Sequence, residues 1–134
     1  ELAHGDNSIT FTGALTKAQT LQEMANSALL VSPSLCYETF GLSPVEAMSI
    51  GTPVLISDLV NLFPIVQDNI SGRYFKAGDI NDLAAKLAEL LSDTNKLITL
   101  GTAAKAAFEE SDCSLEHNLR ALEAIYHSIL APGK

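Results

Sequence analysis

The sequence predicts an α/β fold built on a doubly wound parallel sheet, and three observations carry that expectation. Continuous apolar runs of strand length, Ala28–Val31 and Pro53–Ile56, are what strands covered on both faces look like. The stretches between the strand patterns have helical spacing and not hairpin chemistry, so the strands connect through crossovers. The 134 residues, 47% apolar and 18% charged, suffice for one domain with a sizeable core.

Ser8-Ile9-Thr10-Phe11-Thr12 alternates polar and apolar residues, is rich in β-formers and ends at Gly13, so it reads as a first short strand closing in a turn. Thr16 is placed to cap a helix over Thr16–Ala25 with Leu21, Met24 and Ala25 inward, and Asn26-Ser27 ends it. Ala28–Val31 is the second strand. The loop that follows carries Glu38 and Gly41, after which Ser43-Pro44-Val45-Glu46 fits a capping box with proline at the first helical position. That helix runs through Ile50 and stops at Gly51, a residue able to take the left-handed conformation beyond a helix end. Pro53–Ile56 is the third strand, Asn61–Val66 reads as one or two helical turns interrupted by Pro64, Asn69–Gly72 as a turn, and Arg73–Phe75 as the fourth strand.

Asp79 then caps a helix with Ile80, Leu83, Ala84, Leu87, Leu90 and Leu91 along one stripe. A helix over Asn95–Glu109 buries Leu97, Leu100, Ala104 and Phe108. A last one over Ser114–Leu130 aligns Leu115, Leu119, Leu122, Tyr126 and Ile129, a seam expected to serve packing. Glu1–Asn7 reads as the tail of an upstream element, so residues 1–134 are expected to be a single, incomplete domain.

Composition narrows the function classes. A net charge of −8 with only eight Lys and Arg opposes nucleic-acid binding, which needs clustered cations. No run of about 18 apolar residues suggests a membrane span, and membrane contact by a longer enzyme is not indicated by these residues. Cys36 and Cys113 form no CxxC pair and suit a reducing, cytoplasmic compartment, with Cys36 expected to be an apolar filler. His4, His117 and His127 are scattered, so no metal site is expected.

The chemistry concentrates between Pro33 and Pro53. A loop at the carboxyl end of a parallel strand, followed by a helix start, presents free N–H groups and the positive end of a dipole to an anion. The amides of Phe40, Gly41 and Leu42 occupy that place. A carboxylate accepts two hydrogen bonds and so matches neighbouring sugar hydroxyls; Glu38 and Glu46, eight positions apart, suit two diols on either side of a diphosphate. Each has a plainer reading: Glu46 as partner of a Ser43 cap, Glu38 as a solvated loop acid. Gly41 itself can be a turn residue.

Pro33-Ser34-x3-Glu38-Thr39-Phe40-Gly41-Leu42-x3-Glu46-Ala47-Met48-x2-Gly51-Thr52-Pro53-Val54 resembles the signature of retaining GT-B glycosyltransferases of the glycogen-synthase-like group, the group 1 glycosyl transferases. The resemblance extends to Phe11-Thr12-Gly13, Gly72 and Gly78-Asp79. It implies a Rossmann-like C-terminal, donor-binding domain of a two-domain hexosyltransferase that uses a nucleotide-sugar as substrate, without cofactor or metal ion. By position it implies a catalytic role for Glu38 near the reacting carbon and a ribose contact for Glu46. Phe40, Gly41 and Leu42 would meet the sugar and phosphates, and the loop after Gly13 the base.

The family's domain opens with two further strand-helix units bearing a Gly-Arg and a Lys that neutralise the diphosphate, and these residues have no match here. The acceptor-binding N-terminal domain has none either. The segment alone is therefore expected to be inactive. Its sheet is expected to be gapped, rearranged or completed by another chain, the missing strands belonging between Ile9–Phe11 and Leu29–Val31. A nucleotide-sugar epimerase of the same fold, or a non-catalytic binding or signalling α/β domain, remains the alternative.

Overall fold

The computed structural model describes residues 6–62 and 65–130. Helix α1 (Lys17–Asn26) leads to strand β1 (Leu30–Ser32), helix α2 (Leu42–Ser49), strands β2 (Val54–Ser57) and β3 (Arg73–Phe75), and helices α3 (Ile80–Leu91), α4 (Thr94–Glu110) and α5 (Leu115–Leu130). The three strands form one parallel sheet in the order β1-β2-β3, with Leu30 opposite Val54 and Ser57 opposite Phe75.

Every residue of β2 is buried, the continuous apolar strand predicted for a sheet covered on both faces. Val54 and Ile56 face a cluster with Met24 of α1, Val45, Ala47 and Met48 of α2, and Ala104 of α4. Leu55 points the other way, to Phe75, Leu90 of α3, and Leu97 and Leu100 of α4. Helices thus cover both faces, as expected for a doubly wound sheet.

The expected first strand is absent. Residues 8–12 are irregular and exposed, Phe11 at 82%, and pair with no strand. Alternation and β-propensity cannot make a strand without a neighbour for its backbone groups, and β1 is the edge of the sheet on its free side. Among the described residues the sheet ends at β1, with no strand paired to its other side. Of the expected Asn61–Val66 helix, Phe63 and Pro64 lie outside the described residues, as do Glu1–Gly5 of the opening segment; Leu62, Ile65 and Val66 are buried in a turn.

The caps expected at Thr16 and Asp79 are formed, and Asp93 supplies one on α4 that was not expected. Thr16 and Gln19 close a reciprocal capping box on α1, Asp79 accepts from the amides of Asn81 and Asp82, and Asp93 from that of Lys96. On α3, Leu83, Leu87 and Leu90 face inward, while Ile80, Ala84 and Leu91 are exposed. The seam of α5 is largely open among the described residues: none of its residues is buried, and Leu115, Tyr126 and Ile129 are mostly exposed.

Two contacts fix the frame. Gly51 takes φ +83° after α2, and α4 crosses this turn so closely that a Cβ on Gly101 would collide with the Gly51 carbonyl oxygen and lie 3.2 Å from Pro53. Gly101→Ala is therefore expected to lower the unfolding free energy by about 1–3 kcal/mol, measured by chemical denaturation. Gly13→Ala, with nothing within 4 Å, bears only the backbone cost of positive φ, about 1–2 kcal/mol.

At the far edge, buried Arg73 bonds Asp68 and Glu89 at 3.3 and 3.1 Å, and the hydrogen bond from Lys96 holds the Glu89 carboxyl below its usual range. Burial, then the charge of Asp68, pushes the Tyr74 phenol up to about 12. The folded chain therefore keeps this proton after unfolded tyrosine, with its ordinary value of 10.0, has lost it. The contribution is intact below pH 10 and disappears as pH rises toward 12. Denaturation midpoints should fall over that window, and Tyr74→Phe should flatten the fall.

Candidate active site

The loop from Pro33 to Gly41 leaves the carboxyl end of β1 and is pinned to the segment after β2. The Glu38 amide donates to the Leu59 carbonyl at 3.2 Å, the Asn61 amide donates to the Glu38 carbonyl at 3.4 Å, and Glu38 bridges Val60 in parallel fashion. The backbone of Glu38 is thereby fixed. Its half-buried carboxylate accepts a hydrogen bond from the Ser34 hydroxyl, a partner visible in the Ser-x3-Glu spacing but not recognised there.

Gly41 is the pivot. It takes φ +53°, and a Cβ there would lie 2.7 Å from Val60 Cγ1 and 3.6 Å from Glu38 Oε2. Helix α2 starts immediately after it, with no side chain capping its first turn. The Ser43 capping box expected from sequence is thus not formed. Ser43 and Pro44 lie inside the helix, and Glu46 is its fifth residue, too far along to serve as the third-position partner of a cap. Pro44 is harmless there because the first four helical N–H groups have no intrahelical acceptor.

Glu38, Phe40, Gly41 and Leu42 come together, with Tyr37 and Thr39, around an open depression of about 360 Å³. Tyr37, Phe40 and Leu42 expose large apolar surfaces at its rim. Glu46, a turn further on, is not among its lining residues. Its Oε1 pairs with the Nζ of Lys17, the first residue of α1. Gly13 lies four residues before Lys17 in an exposed loop, with positive φ and open space around it. Sequence reasoning passed over Lys17; its signal was a cation at a helix start, where acids are favoured. Cys36, expected to be a packing thiol, is exposed, and Cys113 is half-buried. Among the described residues no group of three His, Cys, Asp or Glu is placed to hold a metal ion.

The start of α2 offers backbone N–H groups and the positive end of a helix dipole to an anion, with the Glu38 carboxylate beside it to accept from hydroxyls, while the Glu46 carboxylate lies a turn further on against Lys17. Residues 2–107 match the family described as Glycosyl transferases group 1. The chain belongs to that family.

Among relatives, sulfoquinovosyl transferase SQD2 of Arabidopsis thaliana is 35% identical over 105 residues, covering 76% of this chain and 20% of that protein. Among solved structures, Anabaena Alr3699/HepE in complex with UDP and glucose superposes with a TM-score of 0.80 at 26% identity, over 90% of this chain and 32% of its own. Sucrose-phosphate synthase of Thermosynechococcus elongatus gives 0.81 at 27%, over 91% and 30%. The fold is that of GT-B glycosyltransferases, and the chain spans only a fifth to a third of these proteins.

Gly41→Ala tests the pivot. With a forbidden contact to Val60 added to an unfavourable φ, the unfolding free energy should drop by about 2–4 kcal/mol. In a heteronuclear NMR spectrum the amide shifts of Glu38–Val45 should move most.

Proposed function

We propose that this chain is the donor-binding part of a retaining, metal-independent glycosyltransferase that moves a hexosyl group from a nucleoside-diphosphate sugar to an acceptor hydroxyl. The observation that carries the reading is the uncapped start of α2 at left-handed Gly41, with the Glu38 carboxylate folded beside it. The bound UDP and glucose named for the Anabaena structure support a nucleotide-sugar donor.

In this reading the amides of Phe40, Gly41 and Leu42 face the phosphates. There the dipole contributes about 0.3–1 kcal/mol, rising to about 2 where the geometry is partly buried. Glu38 accepts from hydroxyls of the transferred sugar near its anomeric carbon. Glu46 accepts from the ribose diol, and the loop after Gly13 meets the base. The bond from the anomeric carbon to the bridging phosphate oxygen breaks as the acceptor oxygen attacks the same face, and the acceptor proton leaves with the diphosphate. Charge growing on that diphosphate needs fixed positive partners. A segment of net charge −8 offers few, so those cations, and the acceptor site, are assigned to the rest of the enzyme. The segment alone binds donor weakly and transfers nothing. The two free cysteines suit a cytoplasmic setting.

In the full-length enzyme, Glu38→Gln should cut kcat by about 100-fold or more, in line with loss of an electrostatic partner to the transition state, with an unchanged thermal midpoint. Glu46→Gln should raise the donor KM by about tenfold, the loss of one charge-assisted hydrogen bond. Full turnover by both variants, or an epimerised sugar from donor alone, would overturn the reading.

A further inference from the structure

Helix α1 begins on a residue of the wrong sign. Its cap is complete, Thr16 with Gln19, and its first turn holds no acid; the first helical residue is Lys17, where the positive end of the dipole disfavours a cation. Intrinsic helix stability does not account for a lysine there. Its ammonium instead reaches across 29 positions to Oε1 of Glu46 on α2.

Neither end of this pair is needed by its own helix. The start of α2 at Gly41 removes Glu46 from any capping role. Lys17 is 66% exposed and the Glu46 side chain 26%, and a pair so open to water adds little to folding. Only one oxygen of Glu46 is engaged: Oε2 has no protein partner among the described residues. The pair also ties α2 to the helix that follows the Gly13 loop.

We propose that Lys17 is a positioning residue for the donor: it fixes the rotamer of Glu46 so that Oε2 stands open to the vicinal hydroxyls of the donor's nucleoside. It also offsets the repulsion between that carboxylate and the adjacent diphosphate. The two segments assigned to base and ribose are thereby held at a set separation. This rests on the reading of Glu46 as the diol acceptor.

The test is donor-varied kinetics of the full-length enzyme with Lys17→Met, Lys17→Arg, Glu46→Gln and the Lys17→Met/Glu46→Gln double variant. Lys17→Met should raise the donor KM about three- to fivefold, the scale of one exposed charge pair, with kcat and acceptor KM unchanged. Lys17→Arg should restore it, and Lys17→Met should add nothing in the Glu46→Gln background. A structural lysine would not move donor KM selectively or be rescued in it by arginine. An unchanged KM in Lys17→Met beside a raised one in Glu46→Gln would overturn the role of Lys17 and leave the function standing. A Lys17 effect that persists without Glu46 would overturn it too. An unchanged KM in Glu46→Gln would remove the premise and the inference together.

Discussion

The site depends on one steric constraint, the absence of room for a side chain at position 41. Val60, delivered by the end of β2, presses on the place a Cβ would take, and the backbone there is left-handed. Helix α2 consequently starts with its amides uncovered. It is also well anchored, because Pro44, Val45, Ala47 and Met48 are buried, the last three in one cluster with Val54 and Ile56 of the sheet and Ala104 of α4. In the proposed reading an anion seated there gains from rigidity, since donors that are already aligned need no reorganisation when charge develops. The crossing of α4 over Gly51 secures the other end of the same short helix.

Much of this was legible in the residues. A strand covered on both faces reads as a continuous apolar run, so β2 was unambiguous, and the caps at Thr16 and Asp79 name their own helices. What failed did so for identifiable reasons. Ser43-Pro44 fits a helix start as well as it fits a first turn, and only the crowding of Gly41 by Val60 and Leu62, nearly twenty positions or more away, decides between them. Residues 8–12 carry strand chemistry, but a strand is a property of a pair. The stripe on α5 was correctly periodic, yet periodicity does not say what covers it.

In the proposed reading the electrostatics of the site concern hydroxyls as much as phosphates. A chain of net charge −8 gains nothing from two more acids beside a diphosphate unless those acids hold something else. A carboxylate with a free oxygen is a strong acceptor for sugar diols. Glu38 has one oxygen bonded to Ser34, Glu46 one bonded to Lys17. In the proposed reading these protein partners orient each carboxylate before the donor arrives and lower its cost near the phosphates. The family match spans residues 2–107 and the parallel sheet carries the loop from β1 to α2.

The most direct test of the account is a crystal structure of the full-length enzyme with its nucleotide-sugar bound. The account predicts the diphosphate over the amides of Phe40, Gly41 and Leu42, with Glu38 on the transferred sugar and Glu46 on the ribose. A donor seated elsewhere, with both carboxylates turned away from it, would contradict it.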